Sequence, residues 1–572
     1  MMKLTPDSVA GCVARLLKAR GVERVFALCG GHIMPLWMRL DAEGIAIVDV
    51  RDERAAVHMA QAHAELTGAI GVAVVTAGPG VTNAMTGIAN AHVSRAPVLV
   101  LSGTPPRAQE NRGSLQDVDH TLLLRSITRY ARTVREPSLA LQELDEAIAR
   151  AQGEAGEPGP AYLDFPTDVL RAEVPKAMQL DEHLRPKPRA LSLPDPDAVE
   201  RAVELLWSAR RVLVISGRGA KGAGRELVQF LDRLGAVYLD TGESRGVVPD
   251  SHPSVVAAMR GAVMGDADVV VTVGRRLDFQ LAYGSPAVFG KAQFVRIGYV
   301  PGELRDNRRG AVELAATPAA ALAAIVEAAG NRASAVDRTW ADGLRRSHQQ
   351  RAAKLKQALA AAPNGSDGRL HPNRVLAAVQ DAIGEDAIVV NDGGDFLAFG
   401  RVALSAPAML DPGPFGCIGV GVPYGIAAAL AYPEKKVLVA TGDGAFGFNA
   451  IELDTAARHK APVVIVVANN AAWQIEVHDQ TVTHGKVVGT RLQYADHAAM
   501  ARAFGLHGER VEKAEELAPA LARAFANAPA LIDVVVTGEA ISSDGKSGLA
   551  WVPDLQPLAA WDEAERKWRS QG

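Results

Sequence analysis

Residues 437–476, VLVATGDGAFGFNAIELDTAARHKAPVVIVVANNAAWQIE, hold two apolar runs that each stop abruptly on polar residues. The first run ends in Gly442-Asp443-Gly444, the second in Asn469-Asn470, and a helical stretch joins them. Buried runs separated by helices build parallel sheets, whose strands end together on one carboxyl edge where ligands bind. Asp443 and Asn470, 27 residues apart, thus offer two hard oxygen ligands to one cation. Magnesium favours such ligands and completes its octahedron with water and phosphate oxygens. Gly444 and Ala445 open the helix, whose first N–H groups and positive dipole end suit a diphosphate. A helix cap at Asp443 would explain one residue and leave Asn470 without a role. A carboxylate, Glu476, follows Asn470 by six residues.

The same rhythm of strand and helix fills the rest of the chain, with runs such as RVFAL, IAIVDV, GVAVVTA, RVLVISG, DVVVTVG and AIVVND. It is broken by a proline- and charge-rich stretch over 173–197, and by a basic helical segment with PNGSDG over 333–370. The expected organisation is three doubly wound α/β units, 1–175, 190–345 and 365–545, followed by a tryptophan-bearing tail, 546–572. No sequence repeat links the first and last units, although their element patterns are similar. At 572 residues, several cores are required. A net charge of -4 argues against general affinity for nucleic acid or anionic membranes. Cys12, Cys29 and Cys417 show no CxxC spacing, which suits a reducing cytoplasm. The amino terminus lacks a signal-peptide core, and no run approaches the ~20 apolar residues of a membrane span.

The middle third offers a competing signal, RVLVISGRGAKGAG. Gly217, Gly219 and Gly222 form GxGxxG after a strand, and Asp240 closes the next strand. That context is the one a dinucleotide fingerprint requires, so an NAD-dependent dehydrogenase is one reading. The other is a Rossmann-like domain that is structural or binds an adenine nucleotide.

The GDG-to-NN spacing resembles the signature of thiamine diphosphate enzymes, and the likeness to the acetolactate synthase and pyruvate decarboxylase superfamily extends over nearly the whole chain. It implies a pyrimidine-binding domain, a central Rossmann-like domain and a diphosphate-binding domain, with thiamine diphosphate and Mg2+ as cofactors. VDVRDERAAVHMAQAHAELTG resembles the family's glutamate segment, which makes Glu53 the acid that protonates the aminopyrimidine ring. VVTAGPGVTNAM is similar to the companion block, so Pro79 and Asn83, with Gly30 from CGGHIMP, are implied cofactor contacts. PFGCIGVGVPYG resembles the segment that bends the cofactor, through Gly416 and Ile418; NDGGDF resembles a diphosphate loop, through Gly394 and Asp395. The implied metal ligands are Asp443, Asn470 and the carbonyl of Ala472.

Branch-level details look closer to 2-hydroxyacyl-CoA lyases and oxalyl-CoA decarboxylases. Leu115-Gln116-Asp117 stands where acetolactate synthases carry Phe-Gln-Glu, and FGFN follows the GDG. Trp473-Gln474-Ile475-Glu476 and the tail are similar to bacterial lyases of the 2-hydroxyisobutyryl-CoA type. The resemblance then implies reversible cleavage of a 2-hydroxyacyl-CoA to a ketone or aldehyde plus formyl-CoA, the reverse being an acyloin condensation. Glu476 would be the acid/base at the substrate hydroxyl, buried beside Trp473, with Gln116 bordering the substrate; His32 and His478 are weaker candidates. Arg275, Arg276, Arg305, Arg308 and Arg309 are available to coenzyme A phosphates. Relatives hold the ribose of ADP or FAD with an acid after a central strand, where this chain has Gly298. Trp551, Trp561 and Trp568, with Lys546, Arg566, Lys567 and Arg569, suggest a lid. The implied assembly is a cytoplasmic homodimer or homotetramer that shares its sites between subunits. An acetolactate synthase-like carboligase acting on pyruvate and a non-catalytic cofactor-binding protein are the alternatives.

Overall fold

The computed structural model describes residues 5–154, 156–176, 191–547 and 553–571. Its three sheets are entirely parallel. The first comprises β1 (Arg24–Ala27), β2 (Ala46–Asp49), β3 (Gly71–Val75), β4 (Val98–Thr104), β5 (Tyr130–Thr133) and β6 (Ala161–Pro166). The second holds β7 (Val212–Ser216), β8 (Val237–Leu239), β9 (Val269–Val273), β10 (Gln293–Gly298) and β11 (Val312–Ala315). The third holds β12 (Ala387–Asp392), β13 (Ala408–Leu410), β14 (Lys436–Gly442), β15 (Val463–Asn469), β16 (His507–Val511) and β17 (Ala530–Val535).

The strand orders are β2-β1-β3-β4-β6-β5, β11-β10-β9-β7-β8 and β13-β12-β14-β15-β17-β16. The first and third sheets therefore share one winding pattern without sharing a recognisable sequence. The apolar runs form the central strands: every residue of β3, β7, β9, β12, β15 and β17 is buried, as strands covered on both faces require. A 23-residue polar helix, Arg338–Ala360, leads from the second unit to the third.

The first and third units share a core. Helix Glu53–Thr67 and helix Gly421–Ala431 pack face to face, and Ala55, Ala56, Met59 and Ala60 join Tyr424, Ile426 and Ala427 in one buried cluster. Small residues on both helices permit that close approach. Polar ties run through it: Asn90 donates to Gln61 and to the Tyr424 hydroxyl, both at 3.0 Å.

In the middle unit the GxGxxG loop is used for packing. The Gly217 and Gly219 N–H groups bond to Val273 O and Gly274 O, both at 3.0 Å. A Cβ on Gly217 would stand 2.6 Å from the Arg275 side chain, and one on Gly274 would stand 2.4 Å from the Gly219 backbone. A short turn, Arg218–Ala220, follows β7, and the helix begins only at Gly224. Arg275 is buried over this loop and bonds Glu243, Asp278 and Gln280. The glycines thus serve loop-to-loop contact, which removes the basis for the NAD reading. Gly298 is likewise covered: a Cβ there would lie 3.0 Å from Glu303 Oε2, and Glu303 pairs with Arg95 at 3.0 Å. The amides of Gly217 and Gly219 are thus committed within the chain, and no acid follows the strand at Gly298.

The tail helix Ala559–Arg569 packs on helix Pro286–Phe289 of the middle unit. Glu565 is buried there and accepts from the Ser285 hydroxyl and from Gln556. Trp561 packs against the middle core, Trp568 is exposed, and Trp551 lies outside the described residues. No described helix is long and apolar enough to cross a membrane.

Candidate active site

Two groups of residues stand at equivalent places in the first and third sheets. Each lies where the strand order reverses, beside β1 and β3 in one and β12 and β14 in the other, where the strand ends part to leave a crevice.

In the third unit β14 and β15 run in register from Val437↔Val463 to Gly442↔Ala468, which sets Asp443 beside the two asparagines. Asn469 is fully buried, and its amide nitrogen bonds Ala495 O and Asp533. The Oδ1 atoms of both Asn469 and Asn470 are buried with no partner in the protein, and so is Oδ2 of Asp443. Of these three unpartnered oxygens, Asp443 Oδ2 and Asn470 Oδ1 stand past their strand ends, and together they make a donor set for a hard cation. Burial pushes the Asp443 carboxyl up to about 6, against backbone N–H groups of Gly444, Ala471 and Ala472 that pull it down. Ala471 takes a left-handed conformation (φ 55°), and its carbonyl accepts from Leu492 N. That turn uses the carbonyls of Ala471 and Thr490 and leaves that of Ala472 aside.

The diphosphate residues gather at the same edge. A Cβ on Gly393 would touch Gly442 N and Ala445 at 3.4 and 3.6 Å, and one on Gly394 would touch Ile475 at 3.1 Å. A Cβ on Gly444 would meet the Trp473 ring at 2.7 Å, so the lack of a side chain there lets the indole pack against the start of the helix. Gly416 has φ 66° and Ile418 is half-buried just after it. Asp395 is engaged elsewhere: its Oδ1 accepts from Ser542 N at 3.3 Å.

The first unit holds the other group. Glu53 is the first residue of its helix, capped by the Asp52 side chain, and is 6% exposed. Asn83 Nδ2 donates to Glu53 Oε2 at 3.0 Å. Gly30 and Gly80 both back onto Thr76, and a Cβ on Gly80 would stand 3.5 Å from Glu53 Oε1. Pro79 is the first residue of the next helix. Gln116 (φ 63°) abuts Gly78 and bonds His32, whose imidazole is lowered by burial although that bond pulls it up. No hydrogen bond or ion pair among the described residues joins this group to Asp443 or Asn470.

Glu476 departs from expectation. The helix Gln474–His484 turns Gln474 and Val477 inward, so Glu476 in its first turn is exposed. Trp473 instead lies over Gly444 and edge-on to Phe448, with ring centres 6.1 Å apart. His478 is half-buried and hydrogen-bonded to Ala540 O and Gln474. The expected phosphate arginines are also mostly committed: Arg275 is buried, Arg276 pairs with Glu157, Arg308 bonds Gly284 O and Ala292 O, and Arg309 pairs with Glu313. Arg305 is exposed.

Three acids or bases that shape the site are given no role by the sequence, although Asp392 lies within NDGGDF and Glu452 follows FGFN. Asp392, fully buried and raised to about 6 by burial, accepts from the N–H groups of Gly393, Gly419 and Gly421 and knits the two glycine loops. Glu452 accepts from Arg51 N at 3.0 Å and from the Thr455 hydroxyl, holding the turn before Glu53 from the third unit. His120 bonds the Gly78 N–H. Asn449 of FGFN donates to Gly419 O at 2.7 Å, a structural duty.

Comparison with known proteins covers all three units. Residues 7–123 match a family model described as thiamine pyrophosphate enzyme, N-terminal TPP binding domain; residues 199–325 match the central domain, and 397–534 the C-terminal TPP binding domain. An acetolactate synthase large subunit of Mycobacterium tuberculosis is 34% identical over 553 residues, covering 94% of this chain and 97% of that protein. Human 2-hydroxyacyl-CoA lyase 2 is 33% identical over 553 residues, 88% of this chain and 85% of that protein. Oxalyl-CoA decarboxylase of Escherichia coli is 29% identical, covering 93% of this chain and 95% of that protein.

Proposed function

The chain belongs to the thiamine pyrophosphate enzyme family, whose cofactors are thiamine diphosphate and Mg2+, and from that premise we propose that it is a carbon–carbon lyase acting on a 2-hydroxyacyl-CoA. The products are a ketone or aldehyde and formyl-CoA, and the reaction is reversible. The observation that carries this reading is Glu476: an exposed carboxylate in the otherwise inward-turned first turn of the helix that follows Asn470. Lyases of this substrate class are also among the relatives matched along most of their length.

When bound, the cofactor supplies a stabilised carbanion centre for making and breaking carbon–carbon bonds. Asp443, Asn470 and the Ala472 carbonyl would hold the cation, and Gly394, Gly444 and Ala445 would admit the phosphates. Glu53 would hold a proton at the aminopyrimidine ring, oriented by Asn83. Glu476 takes the proton from the substrate hydroxyl as the carbonyl forms, and returns it in the condensing direction. Gln116 borders the substrate.

A second copy of the chain completes the site in this reading. Each half-site borders large exposed apolar side chains, Leu115 (77%) and Leu122 (63%) in the first unit, Val482 (83%) and Val488 (62%) in the third, which a partner would bury. A pyruvate-utilising carboligase is the second reading, favoured by the 34% identity to acetolactate synthases.

The deciding experiment supplies Mg2+ and thiamine diphosphate with 2-hydroxyisobutyryl-CoA, and in parallel with pyruvate. Acetone from the first is expected; acetolactate from the second without acetone overturns the lyase reading. Sedimentation at micromolar concentration is expected to show a dimer or tetramer.

A further inference from the structure

Ser102, His120, Tyr162 and Asp164 form a polar chain on the carboxyl edge of the first sheet, and none is more than 1% exposed. Ser102 Oγ and the Tyr162 hydroxyl lie 2.6 Å apart; that hydroxyl donates to Asp164 Oδ2 at 3.0 Å. His120 Nδ1 is 3.0 Å from the same carboxylate oxygen. Its other nitrogen, Nε2, accepts the backbone N–H of Gly78 at 2.8 Å.

An imidazole nitrogen that accepts carries no proton, so the ring is neutral with its proton on Nδ1, aimed at Asp164. The bond reaches a turn that matters. Gly78 (φ 59°) precedes the helix that carries Asn83, the partner of Glu53. Its Cα backs directly onto Gln116, where an added Cβ would sit 2.7 Å from Gln116 Cβ. His120 follows Gln116 by four residues and opens the short helix His120–Leu124, capped by Asp119. Residues between 109 and 119 are otherwise largely exposed, Leu115 most of all. The loop bearing Gln116 is thus tied to the Gly78 turn from within by the His120 imidazole, beside the bond of Gln116 to His32 and the Glu110–Arg135 pair at the loop's start.

We propose that His120, oriented by Asp164, is a positioning residue that fixes Gln116 against the Gly78 turn and so sets its place relative to the Glu53–Asn83 pair. The inference rests on the reading of Glu53 and Gln116 as site residues. Its tether is a property of the protein alone.

The test compares His120→Leu, which keeps an apolar filler without an acceptor, with His120→Gln, whose amide oxygen reaches the position of Nε2. Hydrogen exchange of cofactor-free protein is read at the Gly78 amide, and kcat and KM are read on the substrate the wild type turns over. In the Leu variant, exchange at Gly78 is expected to rise about tenfold. Its kcat is expected to fall by a similar factor with cofactor affinity unchanged, and Gln is expected to restore both to within about threefold. A folded Leu variant with wild-type exchange and kcat overturns the proposal, as does a folded Gln variant that restores neither. If the Leu variant fails to fold, the Gln comparison alone decides. A wild type inactive on both substrates would sink the functional reading, whereas the exchange result would still decide the tether.

Discussion

The two asparagines at the end of β15 divide their work, and the division is visible only atom by atom. Oδ1 is buried and unpartnered in both, but Asn469 ties its amide nitrogen to Ala495 O and Asp533 from within the strand, whereas Asn470 stands just past the strand end, at the edge that Asp443 shares. Replacing Asn470 by Leu should abolish Mg2+-dependent cofactor binding, read by calorimetry, while replacing Asn469 should lower the melting temperature. Cofactor binding that survives in Asn470→Leu would remove it from the metal site. Glu53→Gln should retain the cofactor and lose roughly 100-fold or more in turnover, the scale of a lost proton donor. Glu452 gives a pH-dependent prediction. Burial raises its carboxyl from 4.5 to about 7, so the folded state binds the extra proton. Its stabilising effect is therefore full below about pH 4.5 and is lost as pH rises to about 7. Glu452→Gln, which cannot ionise, should gain in relative melting temperature between pH 5 and pH 8; a parallel pH dependence in variant and wild type would count against this. Asp443, Asn470 and Glu53 were legible because a spacing or a segment announced them. Asp392, Glu452 and His120 were not, although the first lies within NDGGDF, since the bonds that matter join each to residues 27 to 401 positions away. The burial of Glu476 was misjudged for a simpler reason: helix phase put Gln474 and Val477 inward.

At the scale of elements, the apolar runs were reliable guides because buried parallel strands tolerate little else. Glycines were less so. The GxGxxG of the middle unit and the GDG of the third both follow a strand, yet the first loop is packed under Arg275, whereas the second lies under the Trp473 ring next to unpartnered oxygens of Asp443 and Asn470. Gly274→Ala should cost about 1–3 kcal/mol or more, combining a left-handed φ with contact against the Gly219 backbone, and calorimetric unfolding would check it. The helix Glu53–Thr67 carries a buried imidazole, His58, and a half-buried one, His63, each lowered by burial to about 4. Both remain neutral when folded, so their contribution is present above about pH 6.5 and is lost as pH falls towards 4. His58→Gln should shrink the loss of melting temperature between pH 7 and pH 4.5; an unchanged loss would show that other groups set the acid limit.

For the whole molecule, the decisive feature is the core shared by the first and third units through the helices Glu53–Thr67 and Gly421–Ala431. Asn90 and Tyr424 are 334 residues apart, and Arg51 and Glu452 are 401 apart. During synthesis the first unit therefore leaves the ribosome with the apolar face of its central helix unmatched. At about 5–20 residues per second, the matching helix arrives roughly 20 to 70 seconds later. Through that interval Ala55, Ala56, Met59 and Ala60 form a sticky surface on a nascent chain. Expression at reduced temperature or with added chaperones should then raise the yield of folded protein, and a fragment ending before Gly421 should aggregate where the full chain does not.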